Sequence, residues 1–254
     1  MALPASPQAL ASSLPPGRLL LLLDYDGVLV EMAPTPDQAR PDEALLSLLA
    51  GLAGREDTTV AVVSGRAPGD LLRLLPVPGL VVAACHGAAL VTDGRTRWLV
   101  DVPVSGLSAF AALARRLTEG RPGFLVEEKG AAVALHYRLA DPREAEYVRR
   151  ELALMCETLV SDAGLQWLPG HAVLEVRHPG ASKGRAVSML VARYGGFPVY
   201  LGDDRTDEEA FQALAGSGLS VLVAAADRPT AAARRLSSPA DVRRFLRLLD
   251  PKRG

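Results

Sequence analysis

Leu19-Leu-Leu-Leu-Leu-Asp-Tyr-Asp-Gly-Val-Leu-Val30 sets five leucines directly before two aspartates and a glycine. The run is far too short to cross a bilayer, which takes about 20 apolar residues. It has no polar alternation, so it suits a strand buried on both faces inside a parallel sheet. Open α/β sheets carry their chemistry at the carboxyl ends of such strands, which is where Asp24 and Asp26 stand.

Outward from this stretch the same arrangement recurs. Thr59-Val-Ala-Val-Val63 is an apolar strand ending in Ser64-Gly-Arg66, and the strand at 198–201 ends in Gly202-Asp-Asp-Arg-Thr-Asp207. Between the first two, leucines 45, 46, 48, 49 and 52 repeat with helical spacing from Pro41-Asp-Glu to Gly54. A short helix at 70–75, a strand at 80–84, His86-Gly87 and a hairpin turning at Asp93-Gly94 follow. Residues 1–17, rich in Pro, Ser and Ala without periodicity, are expected to form a loose tail.

From about residue 104 the pattern becomes helix (105–117), strand (124–127), strand (131–138), long helix (142–160), strand (165–168) and strand (173–176). A helix–strand–strand unit occurring twice is α+β, unlike the βα alternation before it. Alternation resumes with helices at 183–194, 208–214 and 241–249 and strands at 198–201 and 219–223. The expectation is an α/β fold: a doubly wound parallel-sheet core, residues 1–103 and 181–254, interrupted by an α+β cap domain, 104–180, with hinges at Pro103 and Pro179-Gly180.

With 254 residues, 49% of them hydrophobic, the chain has ample material for a core. A net charge of −1 gives no electrostatic case for nucleic acid or an anionic membrane as partner. Cys85 and Cys156 are far apart and lie in no metal-ligand spacing, so they read as bystander thiols in a reducing compartment. The N-terminus lacks the order of charge, apolar run and cleavage site of a signal peptide, and a cytoplasmic monomer is the expectation.

Asp24/Asp26, Ser64-Gly65-Arg66, Lys183 and Asp203/Asp204/Asp207 would converge above one sheet edge. Each has an ordinary reading alone: a solvated turn, a common tripeptide, a helix start, a helix cap. Their order and complementary chemistry give the reading its force. Clustered carboxylates repel one another unless a cation balances them, and oxygen donors at this density suit Mg²⁺ together with a phosphate. Ser64, the backbone N–H of Gly65 and Lys183 are donors for phosphoryl oxygens.

These four segments resemble the motifs of haloacid dehalogenase superfamily phosphatases, and the insert resembles that superfamily's larger cap type. Over nearly its full length the chain is similar to the trehalose-6-phosphate phosphatase family. The residues carrying this are Val62-Val-Ser-Gly-Arg66, His86-Gly87, Glu127-Glu-Lys-Gly130, Leu135-His-Tyr-Arg138, Glu175-Val-Arg177, Lys183-Gly184, Gly202-Asp-Asp-Arg-Thr-Asp-Glu208 and Asp241-Val-Arg-Arg-Phe-Leu246. The resemblance implies Asp24 as nucleophile and Asp26 as general acid/base. Mg²⁺ would be held by the Asp24 carboxylate, the Asp26 carbonyl and Asp203, with Asp204 and Asp207 orienting its waters and Lys183. It further implies phosphate binding by Ser64, Gly65 and Lys183, and sugar binding by Glu127, Lys129 and Glu175, with Arg66, His86 and Arg138 added. His136 has two readings, packing or ligand contact. The implied substrate is trehalose 6-phosphate. Sucrose phosphate, a glycosyl-phosphoglycerate, or a catalytically silent role beside a trehalose-phosphate synthase are the alternatives. Val28 and His178 depart from the usual family residues, Thr and Pro, and no catalytic position is missing.

Overall fold

A computed structural model describes residues 1–170 and 172–250. Position 171 of the expected insert and the last four residues of the expected core lie outside the described residues. The chain runs β1 (Leu3–Pro4), α1 (Pro7–Ser12), β2 (Leu19–Leu23), α2 (Glu43–Ala53), β3 (Thr58–Val63), α3 (Pro68–Leu74), β4 (Val81–Ala84), β5 (Ala89–Thr92) and β6 (Arg95–Trp98). Next come α4 (Val104–Thr118), β7 (Leu125–Glu128), β8 (Ala132–His136), α5 (Pro142–Asp162), β9 (Gln166–Gly170) and β10 (Val173–Arg177). The last part holds α6 (Lys183–Tyr194), β11 (Phe197–Gly202), α7 (Asp207–Ala213), β12 (Leu219–Val223), β13 (Arg234–Leu236) and α8 (Pro239–Leu249). Two compact units result, Met1–Arg97 with Ser182–Gly254, and Trp98–Ala181.

The first unit is built on a sheet ordered β1-β13-β12-β11-β2-β3-β4-β5-β6. The strands from β1 to β4 in that order pair in parallel, and β5 runs antiparallel to β4. Strand β2 lies between β3 and β11, so the strand order reverses on either side of it. That reversal opens a crevice at the carboxyl end of β2, the usual place for a ligand in this architecture. The leucine run is buried as its composition requires, with Leu20 to Leu23 fully inaccessible. Leu21 and Leu23 share one core with leucines of α2, Leu71 of α3 and Val242, Phe245 and Leu246 of α8. Helices α6 and α7 pack on the sheet too, α6 against β2 and β3, α7 against β11 and β12.

The N-terminus corrects the expectation of a loose tail. Leu3 and Pro4 pair in parallel with Arg234 and Arg235, while α1 packs on α8 with Leu10 buried. Ser6 caps α1 by accepting from the Ala9 N–H. A two-residue strand and one short helix carry too little periodicity to be read from sequence, and the partner strand β13 is itself three residues long with two arginines.

The second unit is a four-stranded antiparallel sheet, β7-β8-β10-β9, carrying α4 and α5 on one face. Alternation divides its residues by face. Val133, Leu135, Leu174 and Val176 join Phe110 of α4 and Leu152 and Cys156 of α5 in one apolar core, with Trp167 packed edge-to-face on Phe110. Ala132, Ala134 and His136 of β8 and Val173, Glu175 and Arg177 of β10 belong to the opposite face. Strand β8 ends at His136, short of the expected 138, because Tyr137 and Ala140 close a turn. Among the described residues no helix is long and apolar enough to cross a membrane.

Candidate active site

Asp24 follows the last leucine of β2, and its N–H still donates to the Leu201 carbonyl of β11, so the sheet ladder fixes its backbone. Its Oδ1 accepts from the Tyr25 N–H at 2.7 Å and its Oδ2 from Lys183 Nζ at 2.6 Å. Lys183 opens α6, whose cap is Ser182, and donates a second bond to Asp207 Oδ1 at 2.8 Å. All three side chains are almost inaccessible. Burial works to strip the proton from Lys183, but Asp207 and Asp24 outweigh it and hold the ammonium pKa well above the usual lysine range.

Asp203, Asp204 and Asp207 sit on the turn from β11 into α7 and differ in what occupies them. Asp207 is saturated: Oδ1 accepts from Lys183 and from the Tyr200 hydroxyl, Oδ2 from the N–H groups of Asp203 and Asp204. Asp204 Oδ1 accepts from the N–H and hydroxyl of Thr206 and from the Asp207 N–H, capping the turn. Burial would raise Asp204, yet Lys183 and the Thr206 bonds bring it down to about 2. Asp203 has no comparable support, and burial with the charges of Asp207 and Asp204 pushes it up to about 8. Burial raises Asp24 as well; Lys183 opposes this, and the neighbouring aspartates reinforce it.

Carboxylate oxygens of Asp24, Asp203 and Asp207 all lie within 4.8 Å of one another. The donor set fits a hard divalent cation. With Asp207 filled by four donors, Asp24 and Asp203 are the carboxylates suited to hold it. Gly27 makes room for this: its φ is +74°, and a Cβ there would lie 2.1 Å from Asp203 Oδ2. Only glycine lets the two loops approach so closely.

Asp26 is held from the other side. Arg66 donates through Nε to Asp26 Oδ2 at 2.8 Å and through Nη2 to Oδ1 at 2.7 Å. The same guanidinium donates to the Pro36 carbonyl and lies over the Tyr25 ring. Arg66 therefore meets the acid/base candidate, a contact the sequence reading did not name. Ser64 ends β3, with its N–H on the Ala83 carbonyl and its Oγ accepting from the Arg66 N–H. Buried His86, at φ +54°, lies against Gly65, where a Cβ would come within 2.6 Å of its ring.

In the second unit the sheet register lines up the cap candidates. Glu127 of β7 and Glu175 of β10 flank Ala134 of β8 in one cross-strand row. Lys129 Nζ donates to Glu175 Oε2 at 2.7 Å and stands 3.8 Å from Glu127, and Glu127 Oε2 pairs with His136 Nε2 at 2.7 Å. Burial would raise Glu127, but His136 and Lys129 bring it below its ordinary range. Arg138 is exposed in the turn after β8. Sequence reasoning missed Tyr200, whose hydroxyl reaches Asp207 Oδ1 at 2.5 Å. A lone phenol in an otherwise apolar strand was the available signal.

The trehalose-phosphatase family model matches residues 22–240. A bifunctional trehalose-6-phosphate synthase/phosphatase of Thermoproteus tenax is 39% identical over 92% of this chain, which spans 32% of that relative's length. Trehalose 6-phosphate phosphatase RA3 of Zea mays is 31% identical over 93% of this chain and 71% of its own. Among solved structures, the C-terminal domain of C. albicans trehalose-6-phosphate phosphatase superposes with a TM-score of 0.86 at 26% identity, covering 98% of both chains. The match takes in the whole Asp24–Lys183–Asp203 cluster and the cap row between, and the chain belongs to the trehalose-phosphatase family.

Proposed function

We propose that the chain hydrolyses trehalose 6-phosphate to trehalose and phosphate, as a Mg²⁺-dependent monomer in the cytoplasm. The observation that carries this reading is the buried Lys183 ammonium bridging Asp24 and Asp207 beside the less supported Asp203 carboxylate. Lys183 and the sheet ladder hold the Asp24 carboxylate in one orientation, as a nucleophile needs. An Asp24 oxygen attacks phosphorus, the phosphorus–oxygen bond to the sugar breaks, and Asp26, protonated from solvent once it leaves the Arg66 fork, gives that proton to the departing alkoxide. Asp26 then takes a proton from water, whose oxygen attacks the aspartyl-phosphate, releasing phosphate and restoring Asp24. Bound Mg²⁺, held by the Asp24 and Asp203 carboxylates and the Asp26 carbonyl, supplies charge neutralisation for the phosphoryl oxygens. Ser64, the Gly65 N–H and Lys183 supply hydrogen bonds to the same group. The row of Glu127, Lys129, His136 and Glu175 offers acceptors and donors suited to sugar hydroxyls.

The test is phosphate release with Mg²⁺ from trehalose 6-phosphate, sucrose phosphate and a glycosyl-phosphoglycerate, repeated with Asp24→Asn. The expected result is preference for the trehalose ester, loss on chelation, and a fall on the order of 10⁵-fold in the variant. Preference for another ester would sink the choice of sugar. Release that survives Asp24→Asn would sink the mechanism, and no release at all would leave a silent binding role.

A further inference from the structure

We infer that Arg228 is a positioning residue for the cation, acting through the backbone of the Asp203–Asp204 turn; this rests on the metal-dependent reading above. It lies on the loop between β12 and β13, and its guanidinium bonds the turn at two carbonyls and the following helix at one carboxylate. Nη2 donates to the carbonyls of Asp203 at 3.2 Å and Asp204 at 2.9 Å, and Nη1 donates to Glu208 Oε1 at 2.7 Å on the first turn of α7. Glu208 Oε2 in turn accepts from the Ala231 N–H at 2.7 Å, so the arginine's own loop is tied to the same helix.

The consequence falls on Asp203. Its N–H is fixed by Asp207 and its carbonyl by Arg228, so both its peptide groups are anchored before its carboxylate is considered. What remains is to aim that carboxylate at Gly27, where there is no room for a Cβ. The positive charge of Arg228 beside this turn would by itself oppose a cation, so its benefit must come through the backbone bonds. A lysine reproduces that charge and not the fork, since an ammonium on a flexible stem cannot hold two carbonyls and a carboxylate in one plane. Groups that orient metal ligands change affinity by ~10–100-fold when removed.

Isothermal titration of the metal-free chain with Mg²⁺ separates positioning from simple loss of folding. Arg228→Ala is expected to raise the dissociation constant by about tenfold or more at unchanged stoichiometry. Turnover should recover toward the unaltered value at saturating Mg²⁺, with KM for the sugar phosphate unchanged. Partial misfolding would instead lower the stoichiometry and leave the dissociation constant alone, which overturns the inference. If Arg228→Ala does not fold, Arg228→Lys and Glu208→Gln keep most of the packing and should each weaken the ion by a few-fold. Wild-type affinity in both would also overturn it. Absence of Mg²⁺ binding by the unaltered chain would remove the metal-dependent reading itself, a result distinct from equal binding by chain and variant.

Discussion

The two charged clusters are built on opposite principles. In the sheet core, the carboxylates of Asp24, Asp203, Asp204 and Asp207 surround the single ammonium of Lys183, and Asp24 and Asp203 are driven upward in pKa. In the insert, Lys129 meets Glu175 and His136 meets Glu127, and Glu127 is driven downward. A site short of positive charge takes a cation. A site whose carboxylates are each paired with a neighbouring donor offers directional hydrogen bonds of the kind a neutral polyol uses. The difference teaches that charge balance, more than the number of acidic residues, is what distinguishes the proposed metal-and-phosphate site from the proposed sugar site.

The sharpest way to break this contrast is Gly27→Ala. The new methyl would displace the Asp203 carboxylate, and the positive φ adds roughly 1–2 kcal/mol of backbone strain. Mg²⁺ affinity should fall ~100-fold, measured by titration, and a variant with unchanged affinity would show that Asp203 is not a ligand. A smaller effect is expected in the insert. Glu175→Gln removes the charge beside Lys129 and should raise KM for the sugar phosphate about tenfold while changing kcat little. A fall in kcat without a change in KM would assign Glu175 to the chemistry instead.

The smallest effect is a proton count. In the metal-free chain Asp203 keeps its proton up to about 8, above the ordinary carboxylate range. Its protonated form favours the fold below about pH 4, and this stabilisation is lost as pH rises through about 8. A cation displaces protons from carboxylates raised in this way, so at pH 7 Mg²⁺ binding should release protons and tighten as pH rises toward about 8. Calorimetry in two buffers of different ionisation enthalpy measures this, and zero release would contradict the charge deficit.

Much of this was legible in the sequence because the central strands β2 and β11 are almost wholly apolar runs that end abruptly in acidic residues. Leu19–Leu23 before Asp24 and Phe197–Gly202 before Asp203 state both the burial and the exit point. In the insert the helix–strand–strand unit occurring twice announced an α+β layout, whereas the common face of Val133, Leu135, Leu174 and Val176 emerges only from the strand pairing. Illegible were contacts that depend on tertiary placement alone. Arg66 reaches Asp26 across 40 positions, and Arg228 reaches a turn 24 and 25 positions earlier. Neither arginine sits in a periodic pattern that signals its partner. The strands β1 and β13 are legible only as a pair, since each is too short to bury a face by itself.

The place of β2 between β3 and β11 also carries a consequence for how the chain assembles. Its pairing with β3 spans one α-helix, whereas its pairing with β11 must wait for the whole insert and α6 to be traversed. Closing such a distant pair is entropically slow in a disordered chain. The insert shortens that search once it is folded, because Val100 at its entrance packs on Gly180 at its exit. Folded first, it would act as a splint, turning a long flexible tether into a short one, and the second half of the sheet is then expected to dock last. The order in which β11 gains amide protection relative to the insert's strands would show this, and it ties completion of the Asp24–Asp203 pair to the final step of folding.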